Sequence, residues 1–183
     1  ELIGKGKDLA KDLGTTVTAV LVGSNVKGLA DELGEYGADK VIVVDDPELK
    51  DYRTEPYTHA ITSVINEFKP DIFLIGATAI GRDLGPRVCA RIHTGLTADC
   101  TKLDIDEETK LLMMTRPAFG GNIMATIVCE DFRPQMATVR YKVMNAPERT
   151  EETHGEIISC AIDKEKIKAH VDVLDIVKKE PEK

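Results

Sequence analysis

The sequence predicts an α/β fold, specifically a three-layer open sheet with a parallel core and antiparallel edge strands. Three apolar runs carry this prediction, and they are Val17–Val22, Lys40–Val44 and Ile72–Gly76. A short apolar run bounded by turn residues is typical of a strand that is buried on both faces of a parallel sheet. Because segments with helical patterning separate the three runs, we expect right-handed parallel crossovers between them.

The first residues form a predicted helix, from Glu1 to Leu13, with its leucines near one face. An α/β chain rarely opens on a helix that no strand precedes. We therefore expect that a strand upstream of Glu1 is missing, and that its place lies between the first and third apolar runs. Two further helices are predicted, from Val26 to Tyr36 and from about Pro56 to Phe68.

The stretch from Lys69 to Cys100 organises the rest of the chain. Its strand, Ile72–Gly76, is followed by a turn of small residues and then by a helix that we expect to run from Pro86 in its first turn to Ile92. Ligands of open α/β sheets gather at the carboxyl ends of such strands. Arg82 lies there, and it could face an anion or a partner carboxylate, or form a salt bridge at the helix start.

The second half of the chain has a different character. Residues 94–99 are a predicted loop, and the strands that follow are interpreted as antiparallel additions at the sheet edge: Leu103–Ile105, Leu111–Thr115, Asn122–Cys129 and Gln135–Arg140. We assign residues 1–144 to an α/β scaffold domain. Residues 145–183 comprise a polar loop, two strand candidates (Glu156–Ile162 and Val171–Val177) and a charged end at 178–183.

Composition excludes several classes of function. The net charge of −8 disfavours a nucleic-acid surface, and 4% aromatic residues without tryptophan provide few platforms for base stacking. No apolar run is long enough for a membrane span, and the four scattered cysteines are typical of reduced thiols, so we expect a cytoplasmic protein. Zinc-ligand spacing, a nucleophile elbow and a phosphate-binding P-loop are all lacking, so no catalytic constellation is predicted.

A loop between two predicted strands is the main candidate binding element. Gly120 and Gly121 would let a flat ring or a partner backbone come close, Phe119 offers an apolar wall, and Arg116 carries a permanent charge. The alternative is that Arg116 pairs internally and the glycines only shape a tight hairpin turn. The candidate cofactor-binding residues are Arg116, Phe119, Gly120, Gly121 and Asn122, together with Arg82.

These segments resemble the alpha subunit of electron-transfer flavoproteins. The matching stretches are residues 36–41, 73–77, 81–88, 95–100, 115–122 and 133–140. The versions Gly-Arg-Asp-Leu-Gly-Pro-Arg and Arg-Pro-Ala-Phe-Gly-Gly-Asn are similar to those of the bacterial electron-bifurcating branch. The resemblance implies an adenine-nucleotide alpha-hydrolase-like fold. One departure is Arg140-Tyr141-Lys142-Val143, where the family usually has Arg-Pro-Gly-Val.

The resemblance also implies partners and a cofactor. It implies a heterodimer with a homologous beta subunit, and electron transfer through FAD between an acyl-CoA dehydrogenase-type flavoenzyme and other carriers, with NADH-dependent bifurcation as a further expectation. The main FAD sites are expected in a C-terminal domain that these 183 residues lack and in the beta subunit. Arg116 could then stabilise a reduced, anionic flavin or pair with a carboxylate of the beta subunit.

Two other functions are alternatives to electron transfer. A free-standing adenine-nucleotide-binding domain of the same broad fold is the alternative, but no glycine-rich phosphate loop follows Val22 or Val44. An enzyme with chemistry around Asp83 and Arg116 would need a general base, which the sequence does not supply. We therefore expect an electron carrier rather than a catalyst.

Overall fold

The computed structural model describes residues 1–167 and 169–179, and it confirms the α/β class. These residues contain four α-helices: α1 (Leu2–Leu13), α2 (Ala30–Glu35), α3 (Thr54–Phe68) and α4 (Ala79–Arg91). The described strands are β1 (Thr18–Gly23), β2 (Lys40–Asp45), β3 (Ile72–Gly76), β4 (Leu96–Cys100), β5 (Lys102–Ile105), β6 (Leu112–Ala118), β7 (Ile123–Ile127), β8 (Gln135–Val139) and β9 (Glu156–Ser159). Short 3₁₀ turns occupy residues 27–29, 47–49, 119–121 and 164–166.

The parallel core consists of two half-sheets. One has the strand order β1-β2-β9 and the other β3-β8-β4, and every pairing in both is parallel. The middle strands are the most deeply buried: β2 is buried from Val41 to Val44, and β8 along its whole length. The edge strands β1 and β3 are as apolar as the middle ones, yet most of their residues are only half-buried.

The two half-sheets lie side by side under shared helices. On one face, Ile3 of α1 and Leu21 of β1 pack against the same buried cluster, and Leu9 of α1 belongs to the cluster against which Leu74 of β3 packs. On the other face, residues of β1 and β3 pack into one cluster with residues of α3, α4 and β8. No pairing joins β1 to β3 among the described residues, so the predicted gap between these strands is present.

The structure corrects two predictions about the second half of the chain. The segment Gln135–Arg140, predicted as an antiparallel edge, contains β8, the central parallel strand between β3 and β4. Residues 94–99, predicted as a loop, contain most of β4. The sequence pattern concealed β4 because its ladder is irregular between Thr97 and Cys100, and Asp99 adopts a positive φ of 61° that is more usual in turns.

Helix α4 also differs from its prediction. It begins at Ala79, where the Thr78 hydroxyl accepts a hydrogen bond from the Gly81 amide at 3.1 Å, so Pro86 lies inside the helix rather than in its first turn. The small residues before Pro86 therefore form a helix instead of a turn. Gly81 is needed for packing, because a Cβ there would overlap the backbone carbonyl oxygen of Gly76. Helix α4 can thus approach the end of β3 closely.

The predicted antiparallel strands form a separate sheet. Its order is β5-β6-β7, and the turn between β5 and β6 is closed by Asp106, whose carboxylate accepts a hydrogen bond from the Thr109 amide at 2.7 Å. The buried face packs through Leu103, Leu112 and Met114 onto Cys100 and other residues of the core. Strand β7 has few covered residues, and it projects away from the core.

The segment after residue 144 returns to the sheet. The first strand candidate forms β9, which pairs with β2 in the β1-β2-β9 half-sheet. The preceding polar loop is fixed to α2, where Thr153 donates its hydroxyl proton to the Gly34 carbonyl at 3.0 Å. The second candidate, Val171–Val177, is not a strand, because no strand edge among the described residues pairs with it. Of the charged end at 178–183, residues 180–183 lie outside the described residues.

One further feature of the helices bears on function. No helix within residues 1–167 or 169–179 is both long enough and apolar enough to cross a membrane.

The close approach of α4 to β3 gives a test of the fold. Gly81→Ala should lower the free energy of unfolding by about 1–3 kcal/mol, because the new methyl group meets a backbone carbonyl that cannot move aside easily. Gly28→Ala is the matched control, since Gly28 is exposed and its Cβ would meet no atom within 4 Å. Urea unfolding measures both values. An equal loss in the two variants would contradict the described packing.

Candidate functional site

A cleft opens at the carboxyl edge of the β3-β8-β4 half-sheet. The chain leaves the three strands at Ala77, Arg140 and Thr101, and the hydrogen bonds Ala77 N to Val139 O (2.7 Å) and Arg140 N to Cys100 O (2.9 Å) hold these exits side by side. The cleft has a volume of about 230 Å³, and its lining residues are Arg82, Pro86, Leu96, Ala98, Asp99, Arg116 and Thr138.

Of the residues that the structure describes, Asp99 is the only acidic one that lines this cleft. Its backbone N–H donates to the Thr138 hydroxyl at 2.8 Å, which fixes the positive-φ turn. Its carboxylate accepts two hydrogen bonds from Arg140, from Nε at 3.2 Å and from Nη2 at 2.5 Å, and one from Arg82 Nη2 at 3.3 Å. The hydrogen bond from Arg140 lowers the pKa of Asp99, and the charges of Arg82 and Arg116 lower it further.

The arginines around Asp99 keep unused donors. Arg82 donates Nε to the Ala77 carbonyl at 3.0 Å and Nη2 to Asp99, and its Nη1 donates to no described group. The Nε of Arg116 is buried without a hydrogen-bond partner among the described residues. Because Arg82, Arg116 and Arg140 surround a single carboxylate, two positive charges stay unbalanced. Such an excess stands out in a chain with a net charge of −8.

The six predicted cofactor-binding residues fall into two groups. Arg82 and Arg116 line the cleft, whereas Phe119, Gly120, Gly121 and Asn122 form the tip of the β6–β7 hairpin. Arg116 precedes Phe119 by three residues in an extended segment, so its backbone lies about 10 Å from the tip. The sequence predicted one binding loop from Arg116 to Asn122, but the fold places Arg116 in the cleft and the other four residues at the hairpin tip.

The hairpin tip is open to its surroundings. Phe119 is 81% exposed, and Gly120 and Gly121 have φ values of 70° and 91°. A Cβ on either glycine would meet nothing within 4 Å, so these glycines serve the backbone conformation rather than internal packing. The tip thus presents an aromatic ring beside bare backbone.

A set of exposed apolar side chains, which we call the hairpin face, continues from the tip along both sides of β7, with Ile123 and Ile127 on one side of the strand and Met124 on the other. Its members are large apolar side chains that are 40–81% exposed: Phe119, Ile123, Met124, Ile127, Val128 and Phe132. Strand β7 is also the edge of its sheet, so its outer backbone groups are available for pairing. Exposed apolar patches at a free sheet edge are typical of protein–protein interfaces.

Three residues of the site were not predicted from the sequence: Asp99 and Thr138, which line the cleft, and Arg140, which binds Asp99. Asp99 lies on β4, whereas Thr138 lies near the end of β8 and Arg140 follows that strand, about 40 residues further along the chain. Had the parallel pairing of β4 with β8 been recognised, the carboxyl ends of both strands would have indicated that these side chains meet.

A second turn at the carboxyl edge is already filled. The backbone N–H groups of Asn25, Val26 and Lys27, which follow β1, donate to the carboxylate of Asp45 at 2.8–3.1 Å. Desolvation raises the pKa of Asp45, but these three hydrogen bonds together outweigh it, so the pKa lies below its ordinary value. Three adjacent amides resemble a phosphate cradle, and here an internal carboxylate occupies it.

The other acidic candidate is also engaged. Asp83 accepts hydrogen bonds from the Tyr52 hydroxyl at 2.7 Å and from the Thr54 hydroxyl at 2.6 Å. These bonds lower the pKa of Asp83, while burial and the bond to Asp83 raise the pKa of Tyr52. Asp83 therefore ties α3 to α4. Within the described part of the chain, no group of three or more His, Cys, Asp or Glu residues could hold a metal ion.

Comparison with known proteins decides the family. The family model described as the electron transfer flavoprotein domain matches residues 1–165. The chain belongs to this family. Among curated relatives of the electron transfer flavoprotein domain, subunit LctC of lactate dehydrogenase (NAD(+),ferredoxin) from Acetobacterium woodii is 52% identical over 180 residues, which is 98% of this chain and 43% of that protein.

Two further relatives agree with this assignment. The electron transfer flavoprotein subunit alpha of Clostridium acetobutylicum is 58% identical over 140 residues, covering 76% of this chain and 42% of the relative. The acryloyl-CoA reductase electron transfer subunit beta of Anaerotignum propionicum is 51% identical over 175 residues, covering 83% and 47%. The chain spans about half the length of these relatives. The resemblance found in the sequence is thereby confirmed, and the free-standing nucleotide-binding alternative is not favoured.

The Asp99 cluster of this electron transfer flavoprotein domain predicts a pH dependence. Because the folded-state pKa of Asp99 is below 3.8, its stabilising effect is present above pH 3.8 and is lost as the pH falls through the lowered value. Asp99→Asn should cost about 1 kcal/mol at pH 7, since solvent partly screens the pair. The difference from wild type should shrink below pH 4. Urea unfolding across pH 2–7 (about five points) measures it, with the exposed Asp8→Asn as control. A difference that is independent of pH would count against the assignment.

Proposed function

We propose that this chain is the scaffold domain of an alpha-type subunit of an electron transfer flavoprotein. The observation that carries the proposal is the similarity of almost the whole chain to subunits with electron transfer in their names. In this role, residues 1–144 form the scaffold, and residues 145–183 lead into a further domain that binds FAD. When bound, FAD supplies the centre that accepts and releases electrons.

The size of the cleft supports placing the main FAD site elsewhere. Pockets for cofactors usually measure about 300–1,000 Å³. The cleft measures about 230 Å³, so it is too small to enclose FAD. The hairpin tip could serve only as a wall, where its two bare glycines leave room for a flat ring. The main flavin sites in this proposal are in the further domain and in a homologous beta subunit.

The hairpin face is the proposed docking surface for that beta subunit. It combines exposed apolar side chains with the free edge of β7, and both features favour association. Phe119–Asn122 at the tip contact the beta subunit or the flavin that it carries. Arg116 and Arg82, set back from the tip, contribute positive charge that favours a reduced, anionic flavin or a carboxylate of the beta subunit.

The proposed electron donor is an acyl-CoA dehydrogenase-type flavoenzyme, and the proposed compartment is the cytoplasm. NADH-dependent bifurcation is part of the same proposal, because one relative is a subunit of an enzyme named for both NAD(+) and ferredoxin. Another relative is named as an electron transfer subunit of acryloyl-CoA reductase, which supports a donor or acceptor that acts on acyl-CoA compounds.

Flavin content tests whether FAD is bound outside these 183 residues. The full-length alpha subunit, co-expressed with its beta subunit, should purify as a yellow heterodimer that contains FAD. The 183-residue segment alone should retain no stoichiometric FAD, because its cleft cannot enclose the cofactor. The absorbance spectrum and the FAD released on denaturation provide the measurement. A colourless heterodimer, or stoichiometric FAD in the isolated segment, would contradict the proposal.

Subunit affinity tests the docking surface. Phe119→Ala in the full-length heterodimer should weaken the affinity between subunits by roughly tenfold, because a large aromatic side chain at an interface is often a dominant contact. Leu29→Ala is the matched control, since Leu29 is also exposed (51%) but lies next to α2, in the other half of the core. Sedimentation over a dilution series measures both. If both variants dimerise like wild type, Phe119 is not part of the interface.

A further inference from the structure

The arginine cleft has hydrogen-bond donors that the charge role proposed above for Arg82 and Arg116 does not use. Among the described residues, the buried Nε–H of Arg116 has no acceptor, and Nη1 of Arg82, which lines the same cleft, donates to no group. A buried donor without an acceptor is costly, and a native structure usually satisfies it with a partner or a ligand. The two positive charges without a counter-charge also indicate that the cleft binds an anionic ligand.

We propose that this cleft binds the phosphate group of a small molecule as a dianion. Two unbalanced guanidinium charges match the two negative charges of a phosphate dianion, whereas a single carboxylate would leave one positive charge uncompensated. Guanidinium groups donate paired N–H bonds to phosphate oxygens, which makes arginine a common residue in phosphate sites. The location at the carboxyl edge of parallel strands is where ligands of α/β sheets bind.

The other walls of the cleft limit what can enter. Pro86, Leu96 and Ala98 are apolar and leave about 230 Å³, enough for a phosphate group and a small substituent. Thr138 accepts the Asp99 amide hydrogen bond, so its own hydroxyl proton remains available to a phosphate oxygen. Asp99 is the acidic group that faces the cleft, and its carboxylate is neutralised by Arg140 and Arg82.

Phosphate binding by the full-length protein with its beta subunit tests the proposal. Equilibrium dialysis with radiolabelled inorganic phosphate, in chloride at constant ionic strength, should show one saturable site per alpha subunit. Arg116→Gln and Arg82→Gln should each weaken binding roughly tenfold to a hundredfold, since each removes a charged hydrogen-bond donor. Two variants are used so that one remains informative if the other does not fold.

Arg91→Gln is the matched control. Arg91 is exposed on the same helix, about 13 Å further along its axis from Arg82, so phosphate affinity should equal that of wild type. Methyl phosphate as competitor distinguishes two sources of the group. Displacement by methyl phosphate indicates the phosphate end of a larger molecule, and displacement by inorganic phosphate alone indicates the free ion. No saturable uptake by wild type, or equal affinity in both glutamine variants and wild type, would overturn the proposal.

Discussion

The pairing of β8 with two parallel neighbours is the constraint on which the rest of the structure depends. Every residue of this strand is buried, and its hydrogen bonds join β3 on one edge to β4 on the other. Gln135 extends the connection, because its Oε1 accepts the Leu112 amide at 2.8 Å and so fixes the start of β6. The cleft exists because β8 aligns three strand ends, and the hairpin projects from a base that β8 anchors.

Local patterns were sufficient for the first three strands of the chain. There the strands follow one another with helices between them, so apolar runs and turn residues locate β1, β2 and β3 correctly. The second half depends on partners far apart in sequence. β8 has the composition of a core strand, but only its pairing with β3 reveals that it is central and parallel. The predicted helix was shorter than α4 because Gly81 and Gly85 are poor helix formers. In the structure these glycines allow α4 to pack closely against the sheet.

The candidate site was predictable only where its residues are neighbours along the chain. Arg116 and the glycines were recognised because they form one conspicuous loop, yet the fold divides that loop between a cleft and a hairpin tip. Asp99 and Arg140 were missed because neither stands in an unusual local sequence. Their pairing arises from strand order, which no spacing within a single segment encodes.

The carboxylate of Asp45 has a consequence for selectivity between the two anion-attracting places at the carboxyl edge. A tethered carboxylate competes with mobile anions at a very high effective concentration, because the chain delivers it to the amides after β1 in every folded molecule. The Asp45 carboxylate therefore prevents anions in solution from binding to the amides of that turn. In the arginine cleft the internal carboxylate satisfies only part of the positive charge. The molecule thus contains two anion-attracting sites. In the turn after β1 the carboxylate of Asp45 occupies the site fully, whereas in the arginine cleft the carboxylate of Asp99 leaves part of the site open to an external anion.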